Sequence, residues 1–215
     1  ASLAGETGSK INGKTAGELA EKVLLTDSTN VEAMKIQVND FVSRKKWSEA
    51  YKASSALVKI KDIPAECIFT HIDVCLASGK NSEAWDIVSS LYEKNPKNEA
   101  VLQNYIKVLV ATDRRTEASQ LIEQNLSGAS SKMKSFFYYE RSFLQKNENA
   151  VMVDLRSSLT ANPRNKDALF RLYQIYFNKK EYRKAQYYLK QVVAISPADE
   201  SLLLLNAELE TLLSK

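Results

Sequence analysis

The side chains able to do chemistry in this sequence are few, and each must be weighed by its spacing. Gly8-Ser9-Lys10-Ile11-Asn12-Gly13-Lys14-Thr15 fits the phosphate-loop pattern G-x4-G-K-[ST], with a helix expected after it. In such a loop, backbone N–H groups and the lysine cradle phosphate oxygens while the hydroxyl holds magnesium. The loop must leave a buried strand, and only Ala1-Ser2-Leu3-Ala4-Gly5-Glu6-Thr7 precedes it. Ala150-Val151-Met152-Val153-Asp154 imitates the second, metal-binding strand, but it falls where a helix is expected. His71 is the only histidine, so any Ser–His or Cys–His catalysis would depend on it. Its neighbours on the expected helix face are Ile68, Ile72 and Cys75, which make it a core residue. Cys67, His71 and Cys75 stand at i, i+4 and i+8, donors of the type zinc takes, but they read as core packing. Paired carboxylates such as Asp199 and Glu200 fall at helix starts, where they offset the helix dipole. The expectation is no catalytic group, no cofactor, no metal and no enzyme.

The elements that would carry these residues are helical. With 6 Gly and 4 Pro in 215 residues, turn punctuation is too sparse for a β-rich chain. Apolar content of 44% and charged content of 26% fit a folded protein rather than a disordered one. The net charge of +4 is mild and acids are spread throughout, which argues against nucleic acid as the partner. No apolar run approaches the roughly 20 residues that cross a bilayer, so no transmembrane segment is expected. Eight residues of helix between Cys67 and Cys75 span about 12 Å, beyond the ~7 Å reach of a disulfide, so both thiols should be free and buried. The Ala-Ser start without Met points weakly to a processed bacterial periplasmic or envelope chain, with the cytoplasm as the alternative.

A period runs through the chain. Ala50, Ala84 and Ala118 are separated by 34 residues, each inside a Ser/Thr-Glu-Ala phrase, and Val151 and Ala185 continue the series. Pro64, Pro96, Pro163 and Pro197 close the helical runs after Ala50, Ala84, Val151 and Ala185. Within unit 166–199, Leu169, Leu172 and Tyr176 are followed by Ala185, Leu189, Val192 and Pro197.

This spacing resembles the tetratricopeptide repeat family, whose 34-residue unit is a helical hairpin. The resemblance covers roughly residues 31–213, and regular recurrence carries it more than any one motif. It implies an all-α fold, a right-handed superhelical solenoid of about five hairpins at 31–64, 65–98, 99–131, 132–165 and 166–198. Capping helices would lie at 15–30 and 199–215, and residues 1–14 read as a flexible segment. One such hairpin cannot bury both apolar faces alone, so neighbours stack to build a continuous core. The family's small residue at the eighth position is replaced by Val38, Ile72, Ile106, Tyr139 and Tyr173. The divergent unit is 132–165.

In the family the first helices line a concave groove, which implies a partner face at Phe69, Asn104, Lys107, Phe136, Phe137, Glu140, Phe143, Phe170, Arg171, Gln174 and Phe177. This face grades from polar to aromatic along the chain, and an aromatic pocket edged by Arg suits a protein or peptide anchor. Alternatively, the last helix folds over the phenylalanines as core. Lys35 and Asn39 match the first pair of the carboxylate clamp that some members use, but Thr70, Ala100 and Asn104 depart from the rest of it. Basic groups at Arg44-Lys45-Lys46, Lys80, Arg114-Arg115, Lys146 and Lys179-Lys180 fall at the hairpin turns, where they suit helix C-termini. The function implied is a protein- or peptide-binding scaffold or adaptor. A structural spacer within a larger chain is the alternative, and a nucleotide-binding protein a distant third.

Overall fold

The computed structural model describes residues 15–214, and these form twelve α-helices with no strand among them. In chain order they are α1 (Ala16–Thr26), α2 (Val31–Ser43), α3 (Trp47–Leu57), α4 (Ala65–Ala77), α5 (Asn81–Lys94) and α6 (Glu99–Ala111), then α7 (Arg115–Leu126), α8 (Ser131–Leu144), α9 (Glu148–Ala161), α10 (Lys166–Asn178), α11 (Tyr182–Ile195) and α12 (Glu200–Leu213). The segment 1–14, with Gly8 to Lys14 of the phosphate-loop spacing, lies outside the described residues. Thr15, the last residue of that spacing, is the N-cap of α1. Its hydroxyl accepts the Glu18 N–H at 3.3 Å, and the Glu18 carboxylate accepts the Thr15 N–H at 2.7 Å. This reciprocal pair satisfies two of the N–H groups that a helix start leaves unpaired.

Two compact units divide between Thr112 and Asp113, inside the third 34-residue period and between its two helices. In the first unit, α1 packs on α2, α2 on α3, α3 on α4, α4 on α5 and α5 on α6, with one skip between α4 and α6. In the second, α7 to α12 pack each on the next.

Two kinds of connection alternate, for a physical reason. Helices α2, α6, α8 and α10 start at Asn30, Asn98, Ser130 and Asn165, whose side chains accept the N–H three residues on. Helices α3, α5, α7 and α11 start without a side-chain cap. Each follows a left-handed residue: Lys45, Gly79, Asp113 or Lys180, with φ of 54°, 71°, 59° and 60°. At three of these turns the next N–H closes a six-residue ring onto the preceding helix: Lys46 to the Phe41 carbonyl at 2.8 Å, Lys80 to Cys75 at 2.8 Å and Glu181 to Tyr176 at 2.9 Å.

The second-helix register is equally regular. Ala50, Ala84, Ala118 and Ala185 are each the fourth residue of α3, α5, α7 and α11, and all are fully buried. One turn on, Ser54, Val88, Ile122, Leu155 and Leu189 are fully buried too. Val151 does not complete the alanine series: it lies part-buried at the core edge, while Leu155 and Ser158 of α9 point inward. Residues 150–154, considered as a strand, are helical in α9, and Asp154 is a buried ion-pair partner. Cys67 and Cys75, both in α4, are free and buried.

At the C-terminal end, Leu202 and Leu209 of α12 join one buried cluster with Leu172, Tyr173 and Tyr176, and Leu205 and Leu213 pack beside it. Leu203 and Leu212 are exposed. The inward spacing 202, 205, 209, 213 leaves them on other sides of the helix.

Candidate functional site

The eleven predicted face residues divide between the units, with Phe69, Asn104 and Lys107 in the first and the other eight in the second. In the first unit the lysines of this face are paired with acids. The Lys107 ammonium pairs with Asp73 of α4. Lys35 of α2 pairs with Glu66 at 2.8 Å and Glu32 at 3.2 Å. The Glu66 and Glu32 carboxylates raise the Lys35 pKa, so a ligand carboxylate there would compete with two acids. Phe69 is half-buried beside the cluster of Ile72, Cys75 and Val88. Asn104 is buried; its amide donates to the Ala100 carbonyl at 2.8 Å, and its Oδ1 accepts no hydrogen bond.

In the second unit, Phe143 and Arg171 form the centre of the aromatic face. Phe143 is the last residue but one of α8 and is 40% exposed. The Arg171 guanidinium from α10 stacks on that ring, 3.6 Å from its centroid. It also donates to Ser142 Oγ at 2.5 Å and to the Ser142 carbonyl at 3.4 Å. Tyr139 meets Phe143 edge-on, with centroids 5.2 Å apart. Burial pushes the Arg171 pKa down, opposed by the fields of Tyr139 and Glu140. From α7, Arg115 donates to the Leu144 carbonyl at 2.7 Å and the Phe143 carbonyl at 3.3 Å, closing the end of α8. On α10, Phe170 and Phe177 flank Tyr173 at 5.4 and 5.7 Å, both half-buried, and Gln174 is exposed between them.

In the second unit two expected contact residues are interior, as Asn104 is in the first. Phe137 is 1% exposed and belongs to the core, with Phe136 half-buried beside it at 5.8 Å. Glu140 is buried as well. The reason lies in α8, whose inward side carries Met133, Ser135, Phe137, Glu140 and Ser142. Ser135, Ser158 of α9 and Asn165 join in one hydrogen-bonded cluster at 2.9 to 3.0 Å. Arg141 and Gln145 both bind Asp154 of α9. These polar ties orient α8, and Tyr139, expected in the core frame, is only part-buried. Sequence reading missed Ser142 and gave Arg115 and Asp154 other roles, because their partners lie on other helices and no local periodicity marks them.

A second constellation, in the first unit, has the residue types of nucleophilic chemistry. Ser54 Oγ meets His71 Nδ1 at 2.8 Å, and His71 Nε2 meets Glu83 Oε1 at 3.1 Å. The Tyr51 hydroxyl donates to Glu83 Oε2 at 2.6 Å, and Cys75 Sγ lies 3.5 Å from His71 Nε2. Ser54 and His71 are sealed from solvent, so a substrate carbonyl has no route to the hydroxyl. Burial pushes the Cys75 thiol up to about 12, the protonated and unreactive form at neutral pH. Donation from Tyr51, and then from His71, holds the Glu83 carboxyl below its ordinary value.

Neither a scan of protein-family models nor a search of curated proteins finds a match to this chain. No described helix is long and apolar enough to cross a membrane.

Proposed function

We propose that the chain is a tetratricopeptide-like helical-repeat scaffold that binds a protein or peptide through the α8–α10 face. The observation that carries this reading is the Phe143–Arg171 pair. A large aromatic residue stays 40% exposed although a guanidinium is already stacked on its ring. Rigid aromatic and arginine side chains held by their own helices lose little freedom on binding, which makes them efficient anchors. Gln174 supplies an exposed amide beside them for a peptide backbone. The 34-residue spacing of left-handed turns and buried alanines supports the repeat assignment, and a right-handed solenoid is the arrangement such units adopt.

Panning a displayed random-peptide library against the chain tests the reading. Peptides with apolar or aromatic anchors should be enriched, and their binding should fall at least tenfold for Phe143→Ala with helicity unchanged. A chain that enriches no peptide would fit a spacer, and enrichment indifferent to Phe143→Ala would move the binding surface elsewhere.

A further inference from the structure

We propose that the outer stripe of α9 and α11, in the second unit, is a docking face for an anionic membrane surface. The net charge of +4 is unevenly spread: residues 155–198 hold nine Lys and Arg against two Asp and Glu. Of these two acids, Glu181 is paired with Lys184, and Asp167 lies on α10. Helix α11 itself carries Arg183, Lys184 and Lys190 and no acid. In α9, Asp154 is buried against Arg141 and Glu148 is paired with Lys179. Arg156, Lys180, Arg183 and Lys190 form no ion pair among the described residues.

The repeat aligns this charge. Asn149, Val153, Arg156 and Thr160 of α9 are exposed at the spacing i, i+4, i+7, i+11, which is one side of a helix. Arg183, Tyr187, Lys190 and Ala194 of α11 are exposed at the same spacing, each 34 residues on from its counterpart. Val153 and Tyr187 are therefore equivalent places in neighbouring hairpins, as are Arg156 and Lys190. The field of Arg156 reaches both Lys184 and Tyr188, so the two stripes share one surface. The corresponding stripe of α7 carries Thr116, Gln120 and Glu123, which ends the basic surface at α9.

Lysine and arginine alone would make an ordinary solvated face; Val153 and Tyr187 change it. Val153 is 59% exposed and Tyr187 64%. The Tyr187 ring meets Tyr188 edge-on at 5.2 Å, and Tyr188 stacks on Tyr176 at 5.5 Å, so the exposed ring is braced from behind. An aromatic ring at headgroup level with cations around it is the surface that an anionic bilayer takes up. Equivalent residues of successive hairpins stand at one height, so both stripes can meet one plane together. A peptide would need a groove for its anchor. The nearest cleft, lined by Lys180 to Lys184 and Leu213, lies at the start of α11, and Val153, Tyr187 and Lys190 do not border it. No residue of the stripe belongs to the α8–α10 face, so the two surfaces can be occupied independently.

Vesicle flotation tests the face. The chain should float with phosphatidylcholine vesicles holding about 30% phosphatidylserine, stay behind with phosphatidylcholine alone, and bind less as salt rises. Each surface cation raises partitioning roughly fivefold, so joint Arg156→Gln, Arg183→Gln and Lys190→Gln should weaken it about a hundredfold. Tyr187→Ala should weaken it severalfold by itself. Joint Lys22→Gln, Lys52→Gln and Lys94→Gln removes the same charge from exposed places in the first unit and should cost far less. All these side chains are exposed, and circular dichroism should match wild type. Absence of flotation at low salt overturns the proposal, as do equal losses in the two triple variants. A chain that captures polyglutamate or a single-stranded oligonucleotide but leaves anionic vesicles behind overturns it too.

Discussion

Arg141 grips Asp154 with two nitrogens, Nε at 3.1 Å from both carboxylate oxygens and one terminal nitrogen at 2.5 Å, where the carboxylate is 1% exposed. The pair ties α8 to α9 across a turn that lacks the left-handed residue found at the other four helix pairs. Removing one partner strands a buried charge. Arg141→Ala should therefore cost about 3–5 kcal/mol in urea unfolding. An Arg141→Met, Asp154→Leu double variant should recover most of that loss. A double variant as unstable as the single would show that the pair itself stabilises.

The alanine positions tolerate no growth. Ala84 is fully buried where α5 crosses its neighbours. Ala84→Leu should lower stability by about 1–3 kcal/mol through overpacking. Val151, part-buried at the equivalent place in α9, should accept Leu with a smaller loss. Equal melting temperatures for Ala84→Leu and wild type would contradict the register.

The left-handed turns separate backbone cost from packing. A Cβ on Gly79 meets nothing within 4 Å, so Gly79→Ala is charged only for its φ of 71°. The expected loss is about 1 kcal/mol. Lys45→Gly, at φ 54° on the surface, should gain a few tenths to about 1 kcal/mol. Thermal melts of the two variants should move in opposite directions.

Phe137 and Phe143 are six residues apart and should behave oppositely. Phe137→Ala empties a core site and should cost about 3–5 kcal/mol. Phe143→Ala removes an exposed ring and should leave the melting temperature within a few degrees of wild type. The second variant, not the first, is the one that isolates binding from folding.

Acid should weaken the first unit through Glu83. Its carboxyl is held below the ordinary value of 4.5, chiefly by the Tyr51 hydroxyl and then by His71. The contribution is fully present above the unfolded value and is lost as pH falls through the folded one. Glu83→Gln should flatten the decline in stability on acidification from about pH 5. An identical decline in wild type and variant would remove Glu83 as its source.

What was legible in the sequence follows from how local each interaction is. Ala50, Ala84, Ala118 and Ala185 recur because each hairpin repeats one crossing, and their burial follows from the 34-residue period. The caps at Asn30, Asn98 and Asn165 are equally local, through bonds three residues long, but the 34-residue period did not draw on them. Periodicity failed in α8, where Ser135, Glu140 and Ser142 take inward positions that an apolar stripe would normally declare. With polar groups inside, the pattern could not distinguish the core ring of Phe137 from the exposed ring of Phe143. The Ser54–His71–Glu83 chain was invisible for a related reason: its partners sit on three helices, and no composition signal joins them.

Helices that lean mainly on their sequence neighbours also bear load largely in series. In the second unit, where α7 to α12 pack each on the next, a pull on the ends would peel α-helices away one after another at modest force, while in the first unit the α4–α6 contact would have to break as well. Each unit is in that sense a spring, compliant along the chain while every joint within it stays stiff.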